Sequence, residues 1–238
     1  MHSTIDPIVL CGGGGTRLRS VTGDIPKPMA LVAGRPFLEF ILRQLQGAGF
    51  QRAVLATGYR HEVIQGHFRE RAFGLDLCYS IEQTPLGTGG AVRQALGLVQ
   101  SESVLVLNGD SYTNAGLREL AADHAGTGAD VTMAVVPSDG RDDAGNVIVD
   151  GAGAVVSFSE KSGPAGVACV NAGIYAIGRR LVEALPQGVG LSLETQVLPG
   201  WLAERRDVRA FAVQGPCVDI GIPERYQAAQ RLLAHLAL

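Results

Sequence analysis

The stretch Leu10–Met29 reads LCGGGGTRLRSVTGDIPKPM, and the fold prediction starts from it. Four glycines follow a short apolar run, and two cations, Arg17 and Lys27, come soon after them. A glycine loop directly after a buried strand lets backbone amides surround an anion such as phosphate, because no Cβ stands in the way. The stretch therefore predicts a phosphate site at the carboxyl end of the first strand of an α/β fold.

Strand and helix patterns alternate through the first half of the chain. The predicted strands are Pro7–Cys11, Arg52–Thr57, Asp76–Ile81 and Val104–Asn108. The predicted helices are Phe37–Gly47, Glu62–Phe68, Gly90–Val99 and Ala115–Gly126. Because the strands are short and nearly all apolar, they are typical of a parallel sheet covered on both faces. The alternation indicates right-handed βαβ units.

The pattern changes after Asp130, where strands begin to follow one another. The predicted strands are Asp130–Val136, Asn146–Val149, Ala154–Ser159, Asn171–Ile177, Val208–Val213 and Val218–Ile220. The predicted helices are Arg179–Leu185, Leu193–Glu204 and Pro223–Ala237. The turn DGAG joins two of these strands as an antiparallel hairpin. With no linker or repeat, residues 1–238 are expected to form one domain, a parallel core with a mixed, partly antiparallel second half.

Composition excludes several classes of function. The chain has a net charge of −3 and no basic patch, which argues against a nucleic-acid partner. Neither a signal peptide nor an apolar run of membrane-spanning length is present, so a cytoplasmic protein without membrane contact is expected. The cysteines are not paired as C-x-x-C and are expected to be buried apolar residues rather than zinc ligands: Cys11, Cys78, Cys169 and Cys217.

Two familiar phosphate loops do not fit the glycine run. A P-loop needs a lysine directly after its last glycine, and a dinucleotide fingerprint that starts at Gly12 and Gly14 would need glycine where Arg17 stands. Pro26 and Pro28 restrict the backbone around Lys27 instead. A flexible surface loop with solvated cations is the alternative interpretation of this stretch alone.

Further motifs follow in a fixed order. They are EQTPLGTGGA at Glu82–Ala91, LNGD at Leu107–Asp110, EK at Glu160 and Lys161, NAGIY at Asn171–Tyr175, SLE…VLP at Ser192–Pro199 and DIGIPERY at Asp219–Tyr226. Together with GGGGTRL…PKP, this set resembles the sugar-1-phosphate nucleotidyltransferases over nearly the whole chain. The pattern is most similar to the guanylyltransferases of D-glycero-α-D-manno-heptose 1-phosphate, followed by those of mannose 1-phosphate.

The resemblance implies a three-layer, Rossmann-like α/β fold with a mixed, mostly parallel central sheet and a small antiparallel sugar-binding part. The nucleotide part would cover about residues 1–110 and the sugar part about residues 111–238. The implied reaction is attack by a sugar 1-phosphate on the α-phosphorus of a nucleoside triphosphate. Both substrates are anionic, so a hard cation, Mg²⁺, suits the chemistry.

The resemblance also assigns roles to residues. The catalytic set is Arg17, Lys27, Asp110 and Lys161. Asp110 and Asp219 would hold the metal, and Lys161 would bind the sugar phosphate. The nucleotide would contact Cys11, Gly12, Gly13, Gly15, Thr16, Glu82, Pro85, Gly87 and Thr88. The sugar phosphate would contact Gly145, Glu160, Lys161, Asn171 and Glu194. For Glu194, an ordinary helix start after Ser192 is the alternative.

Glu82 bears on the choice of base. Its carboxylate offers two acceptors to the N1–H and N2–H₂ donors of guanine, which favours GTP, whereas a backbone carbonyl that reads the base is the alternative. Gly87, Gly89 and Gly90 are expected to let the base lie close to the backbone. A uridylyltransferase acting on another hexose phosphate is a further alternative.

Departures from the family pattern concern the sugar more than the reaction. Ala144 stands where tyrosine is common, and Gln196 stands where an acid is usual. A non-catalytic sensor is the alternative from another class, but such proteins tend to lose the cations and carboxylates that are present here. The expected partners are therefore GTP and a sugar 1-phosphate, and a homodimer is possible.

Overall fold

The structure is a computed structural model that describes residues 5–15, 17–18, 23–138, 145–160, 169–215 and 217–235. The strands are β1 Ile5–Leu10, β2 Leu31–Val32, β3 Arg35–Pro36, β4 Arg52–Thr57, β5 Arg71–Ala72, β6 Leu75–Ile81, β7 Ser103–Asn108, β8 Ser111–Thr113, β9 Val131–Pro137, β10 Asn146–Val149, β11 Val155–Ser159, β12 Cys169–Gly178, β13 Val208–Ala212 and β14 Cys217–Asp219. The helices are α1 Phe37–Gly47, α2 His61–Phe68, α3 Gly87–Ala95, α4 Leu117–Thr127, α5 Arg179–Glu183, α6 Leu198–Ala203 and α7 Pro223–Leu233.

A ten-stranded sheet forms the centre of the fold. Its strands follow the order β11-β10-β12-β7-β1-β4-β6-β5, and β9 and β13 extend it from β12. Strands β7, β1, β4 and β6 pair in parallel, as the apolar patterns of the first half predict. Strand β12 joins this parallel core in the antiparallel direction, which makes the sheet mixed.

Strand β12 pairs with one strand on one edge and with two different strands, one after the other, on its other edge. It pairs with β9 along both of its halves. Near Cys169 and Val170 it also pairs with β10, and from Ile174 to Gly178 it pairs with β7. The register shifts between Asn171 and Tyr175, where Gly173 has φ +73°. Strands β10 and β7 therefore pair with the same edge of β12, on either side of this bulge. The antiparallel pairing of β10 with β11 confirms the predicted hairpin.

Apolar side chains cover both faces of the sheet. Helix α1 illustrates the reason, since its sequence FLEFILRQLQG places apolar residues three and four apart on one face. Phe37, Phe40 and Ile41 are buried there, and Glu39 accepts a hydrogen bond of 2.8 Å from Arg43 on the other face. A second buried cluster on the opposite face includes Tyr175 and Trp201. The two clusters leave the strand ends as the place for a ligand.

Two predicted helices differ clearly from the observed ones. Helix α3 begins at Gly87 rather than Gly90, and a 3₁₀ turn over Leu96–Leu98 replaces its predicted end. The predicted helix Leu193–Glu204 splits into a π-helical turn, Leu193–Val197, and α6. Pro199 lacks an N–H group and so fits best in a first helical turn, which is where α6 places it.

Candidate active site

The glycine loop leaves the sheet at the carboxyl end of β1, between the ends of β4 and β7. The amide of Cys11 donates to the carbonyl of Ala56 over 2.7 Å, and the amide of Gly109 donates to the carbonyl of Leu10 over 2.9 Å. Burial, together with the charge of Asp110, raises the pKa of the Cys11 thiol. Cys11 therefore acts as a small apolar residue under the loop, with its side chain buried.

A cavity of about 560 Å³ opens above these strand ends. The cavity is lined by six of the residues that are predicted to contact the nucleotide: Gly12, Gly13, Glu82, Pro85, Gly87 and Thr88. A Cβ placed on Gly13 would have no neighbour within 4 Å, so this glycine leaves room on the cavity side. Gly15 instead packs over Lys27. A Cβ placed on Gly15 would lie 3.0 Å from the Cβ of Lys27. Thr16 lies outside the described residues.

Glu82 reaches into the cavity from the loop after β6. Its amide donates to the carbonyl of Thr57 over 2.8 Å, and its Oε2 accepts from the amide of Leu86 over 2.8 Å. A Cβ on Gly12 would lie 2.5 Å from Oε1, so the carboxylate packs against the glycine loop. Burial raises the pKa of Glu82, and the hydrogen bond from Leu86 opposes that shift only in part.

The glycines at the start of α3 have a packing role beside the predicted one. A Cβ on Gly87 would lie 2.5 Å from the carbonyl oxygen of Leu191, and a Cβ on Gly90 would lie 2.5 Å from that of Val189. The amide of Gly89 donates to the same Leu191 carbonyl over 2.8 Å. Close packing of the segment Val189–Leu191 against the helix is therefore one reason for glycine at these positions.

We expect Gly87→Ala to lower the free energy of unfolding by about 2–4 kcal/mol, because overpacking and a left-handed alanine each add a cost. Gly87 has φ +65°, and the clashing atom belongs to backbone that cannot turn aside. Urea titration measures the change. Gly97→Ala is the matched control, since its Cβ would meet nothing within 4 Å. Equal stabilities of the two variants would contradict this account.

A smaller cavity of about 180 Å³ adjoins the first one. Asn108 and Asp110 line both cavities, so these two residues stand between them. The smaller cavity brings together Arg17, Lys27, Gly145, Glu160, Asn171, Glu194 and Asp219, all of them predicted site residues. Lys161, predicted to bind the sugar phosphate, lies outside the described residues.

Lys27 and Asp110 form an ion pair at the boundary of the cavities. The lysine sits in a 3₁₀ turn, Lys27–Met29, which Pro26 and Pro28 restrict. Burial alone would raise the pKa of Asp110, but the charge and hydrogen bond of Lys27 outweigh it, with help from the Ser111 hydroxyl, and the pKa is lowered. Asp110 is therefore a carboxylate throughout the neutral range.

The second predicted metal ligand, Asp219, lies beside Asp110. Strand β14 pairs with β8 so that Asp219 is opposite Ser111, and the amide of Ile220 donates to the carbonyl of Asp110 over 3.1 Å. Arg225 donates to Oδ2 of Asp219 over 2.8 Å. Each of the two carboxylates thus has a cation as a partner, although they lie far apart in sequence.

Residues predicted to contact the sugar phosphate form a polar cluster at the bulge of β12. The Asn171 side chain donates to the Tyr175 hydroxyl over 2.6 Å and accepts from the amide of Gly173 over 2.9 Å. The backbone amide of Asn171 donates to the carbonyl of Gly145 over 2.8 Å. A Cβ placed on Gly145 would lie 3.1 Å from Oε2 of Glu160. Burial and the charge of Glu194 raise the pKa of Tyr175, so its hydroxyl stays protonated.

Several residues of the site carried no prediction of a role. Asn108, Arg225 and Tyr59 line the cavities, and the hydroxyl of Tyr59 donates to Asp24 near the glycine loop. Arg225 lies within the quoted stretch DIGIPERY, and its position in the first turn of α7 could have indicated an ion pair with Asp219. Among the described residues, no group of three or more histidine, cysteine or acidic side chains could hold a metal by itself.

Comparison with known families decides what this arrangement belongs to. A family described as Nucleotidyl transferase matches residues 6–235, which include both cavities. The chain belongs to this nucleotidyl transferase family. The family membership agrees with the ordered motifs of the sequence and with the mixed α/β sheet.

Relatives within the nucleotidyl transferase family include two kinds of guanylyltransferase. The D-glycero-α-D-manno-heptose 1-phosphate guanylyltransferase of Aneurinibacillus thermoaerophilus is 36% identical over 97% of this chain and 99% of its own length. The mannose-1-phosphate guanylyltransferase of Mycobacterium tuberculosis is 37% identical over 93% of this chain. The match spans only 62% of the length of this second relative.

Solved structures show the same fold. HddC from Yersinia pseudotuberculosis, solved in complex with GMP-PN, is 32% identical with a TM-score of 0.84 over 96% of this chain and 99% of its own. The inositol-1-phosphate CTP transferase of T. maritima has a TM-score of 0.79 at 19% identity, and it supports the fold alone. Among the residues that the structure describes, no helix is both long and apolar enough to cross a membrane.

Proposed function

We propose that the chain transfers GMP from GTP to D-glycero-α-D-manno-heptose 1-phosphate, giving GDP-heptose and pyrophosphate. The observation that carries the proposal is the pair of adjoining cavities with a common wall of Asn108 and Asp110. The larger cavity has the size and glycine lining of a nucleotide site, and the smaller one has the polar lining of a sugar phosphate site.

The nucleotide side supports GTP. The ionised carboxylate of Glu82 can accept two hydrogen bonds from a base, and guanine presents two donors, N1–H and N2–H₂, on one edge. Oε2 already accepts from Leu86, but a carboxylate oxygen has a second lone pair for the base. HddC, which shares the fold at 32% identity, was solved in complex with GMP-PN.

The sugar side supports a manno-configured substrate. Glu160, Asn171 and Glu194 line the smaller cavity and offer the acceptors and donors that sugar hydroxyls need. Two relatives named D-glycero-α-D-manno-heptose 1-phosphate guanylyltransferase are each 36% identical to this chain, over 97% and 92% of its residues. Mannose 1-phosphate is the second candidate, because the identity to the mannose-1-phosphate guanylyltransferase is 37%.

The chemistry follows from charge. An oxygen of the sugar phosphate attacks the α-phosphorus, a new P–O bond forms, and the bond to the leaving pyrophosphate breaks. Little covalent work falls to the protein, so alignment and neutralisation of charge dominate. Lys27 and Arg17 line the smaller cavity, where Lys27 is ion-paired with Asp110, and we assign these two cations to the phosphates that gain charge.

The residues also fit Mg²⁺. Asp219 lies on β14, and Asp110 directly precedes β8, the strand that pairs with β14, so the two supply carboxylate oxygens side by side. Mg²⁺ in proteins is commonly bound by one or two carboxylates together with substrate phosphates and water. The ion pairs of the two aspartates with Lys27 and Arg225 would give way or share the carboxylate oxygens with the ion. When bound, the metal would neutralise and orient the phosphates. Lys161 stays a predicted ligand of the sugar phosphate.

A matrix of substrates tests the proposal. Pyrophosphate release is measured for the full chain with GTP, ATP, CTP and UTP, each combined with the 1-phosphates of manno-heptose, mannose and glucose. We expect the highest kcat/KM with GTP and manno-heptose 1-phosphate. A higher value with mannose 1-phosphate would move the assignment to the second candidate. An absence of turnover with GTP and either manno-configured sugar would overturn it.

A further inference from the structure

Thr88 connects the two cavities through one hydroxyl group. It lines the larger cavity, yet its Oγ1 donates over 2.6 Å to Oε2 of Glu194, which lines the smaller one. The amide of Leu193 donates to the same Oγ1 over 2.7 Å. A hydroxyl has a single proton, and because its oxygen accepts from Leu193, that proton is directed to Glu194.

The surrounding backbone holds this contact in place. The amide of Leu191 donates to the carbonyl of Leu86 over 2.8 Å, and the amide of Gly89 donates back to the carbonyl of Leu191 over 2.8 Å. The start of α3 and the segment Leu191–Glu194 are therefore joined by hydrogen bonds on both sides of Thr88. Glu194 is only 8% exposed, and the hydrogen bonds that it accepts from the described side chains, those of Thr88 and Ser192, both go to Oε2.

We propose that Thr88 is a positioning residue for sugar recognition, which fixes the Glu194 carboxylate so that Oε1 serves the sugar hydroxyls. This inference rests on the proposed function, because it takes the smaller cavity as the sugar site. A buried carboxylate held by a charge-assisted hydrogen bond loses little freedom when a ligand arrives. Without the Thr88 hydroxyl, the carboxylate could turn away from the geometry that selects one sugar.

Thr88→Val tests the proposal, since valine keeps the shape and removes the hydroxyl. We expect the KM for manno-heptose 1-phosphate to rise about tenfold or more, the size of a lost hydrogen bond to a charged group. The KM for GTP should change far less, and the preference for the heptose over mannose 1-phosphate should shrink. Thr88→Ser keeps the hydroxyl and should restore both properties, whereas the coupling to Glu194 separates positioning from a purely structural role, because serine also restores the hydrogen bond from Leu193.

Two more variants sharpen the test. Thr195→Val is the matched control, because Thr195 is exposed one residue after Glu194, and it should leave both KM values unchanged. Glu194→Gln measures coupling: if Thr88 acts through Glu194, adding Thr88→Val to this variant should raise the sugar KM little further. Equal rises in the KM values for GTP and sugar, additive effects, or no rescue by serine would overturn the proposal.

Calorimetry separates this inference from the proposed function. Binding of manno-heptose 1-phosphate to the intact chain with GDP present reports on Glu194 without turnover. If the wild-type chain binds the sugar phosphate but does not release pyrophosphate, the proposed function fails, and the effect of Thr88→Val on binding still decides the role of Thr88. If the wild-type chain binds no sugar phosphate, both fail. Thermal melting shows whether the valine variant is folded, and Thr88→Ala, which also removes the hydroxyl, replaces it if it is not.

Discussion

Asp110→Asn is expected to lower kcat by about 10²–10³-fold or more, the usual cost of one lost contact to transition-state charge. Asp110 is at the boundary of both cavities, where the reacting phosphorus of the proposed reaction would lie. Asparagine keeps the shape but loses the charge that pairs with Lys27 and would hold Mg²⁺. Pyrophosphate release at saturating substrates and Mg²⁺ measures the effect.

The fold should survive this change. Asparagine still offers an oxygen to Lys27, so we expect the free energy of unfolding to fall by about 1–2 kcal/mol, out of the roughly 5–15 kcal/mol usual for a domain. Asp76→Asn is the matched control, because Asp76 also has a cationic partner, Arg71, but both are exposed at the far end of β6. A near-normal kcat for Asp110→Asn would refute the role of Asp110, as would an equal loss in the control.

Glu82→Gln is expected to lower kcat/KM for GTP by about 10²-fold or more, because two hydrogen bonds to a charged acceptor are weakened and one amide donor would face a guanine donor. The loss should be smaller for nucleotides whose base edge has one donor and one acceptor. Assays with all four triphosphates show the change in preference. Glu102→Gln is the control, since Glu102 is exposed at the opposite end of the sheet, just before β7.

The pH dependence offers an independent readout of Glu82. Burial raises the pKa of Glu82, so its carboxylate takes up a proton at a higher pH than an ordinary glutamate. The protonated form has lost one acceptor for guanine, and the KM for GTP should therefore rise as the pH falls into this range. The glutamine side chain of the Glu82→Gln variant does not titrate, so the KM of that variant should lack the rise. A wild-type preference for GTP retained by Glu82→Gln would mean that a backbone carbonyl reads the base.

Local patterns predicted the elements that local forces determine. Strand β4 and helix α1 have the predicted bounds, because an uninterrupted apolar run and an amphipathic face specify them without distant partners. The predicted start of α3 was wrong because Gly87–Gly90 are poor helix formers, and contacts with the segment Val189–Leu191 hold them in a helix. The three-residue strands β8 and β14 were missed or shifted, since their pairing depends on tertiary structure alone.

The site was predictable in its residue types and not in its connections. Asp110 and Asp219 carry the chemistry of metal ligands, and the motif order placed both in one site. The cation partner of each carboxylate could not be read from the sequence, because Arg225 and Lys27 reach them through the geometry of separate elements. The same is true of Thr88, whose contact with Glu194 spans more than a hundred positions.

The pairing of β10 and β7 with successive halves of β12 has a consequence for how substrate choice can change. Hairpin β10–β11 is attached to the first half of β12, and the parallel core is attached to the second half. Gly145 directly precedes that hairpin and Glu160 directly follows it, so both lie at its open end. The glycine loop and Glu82 are attached to the parallel core. A sequence change that tilts the hairpin about the Gly173 bulge would reshape the proposed sugar site and leave the proposed nucleotide site in place. The branched sheet thus gives the two halves of the reaction separate supports, and new acceptor sugars can evolve on an unchanged donor site.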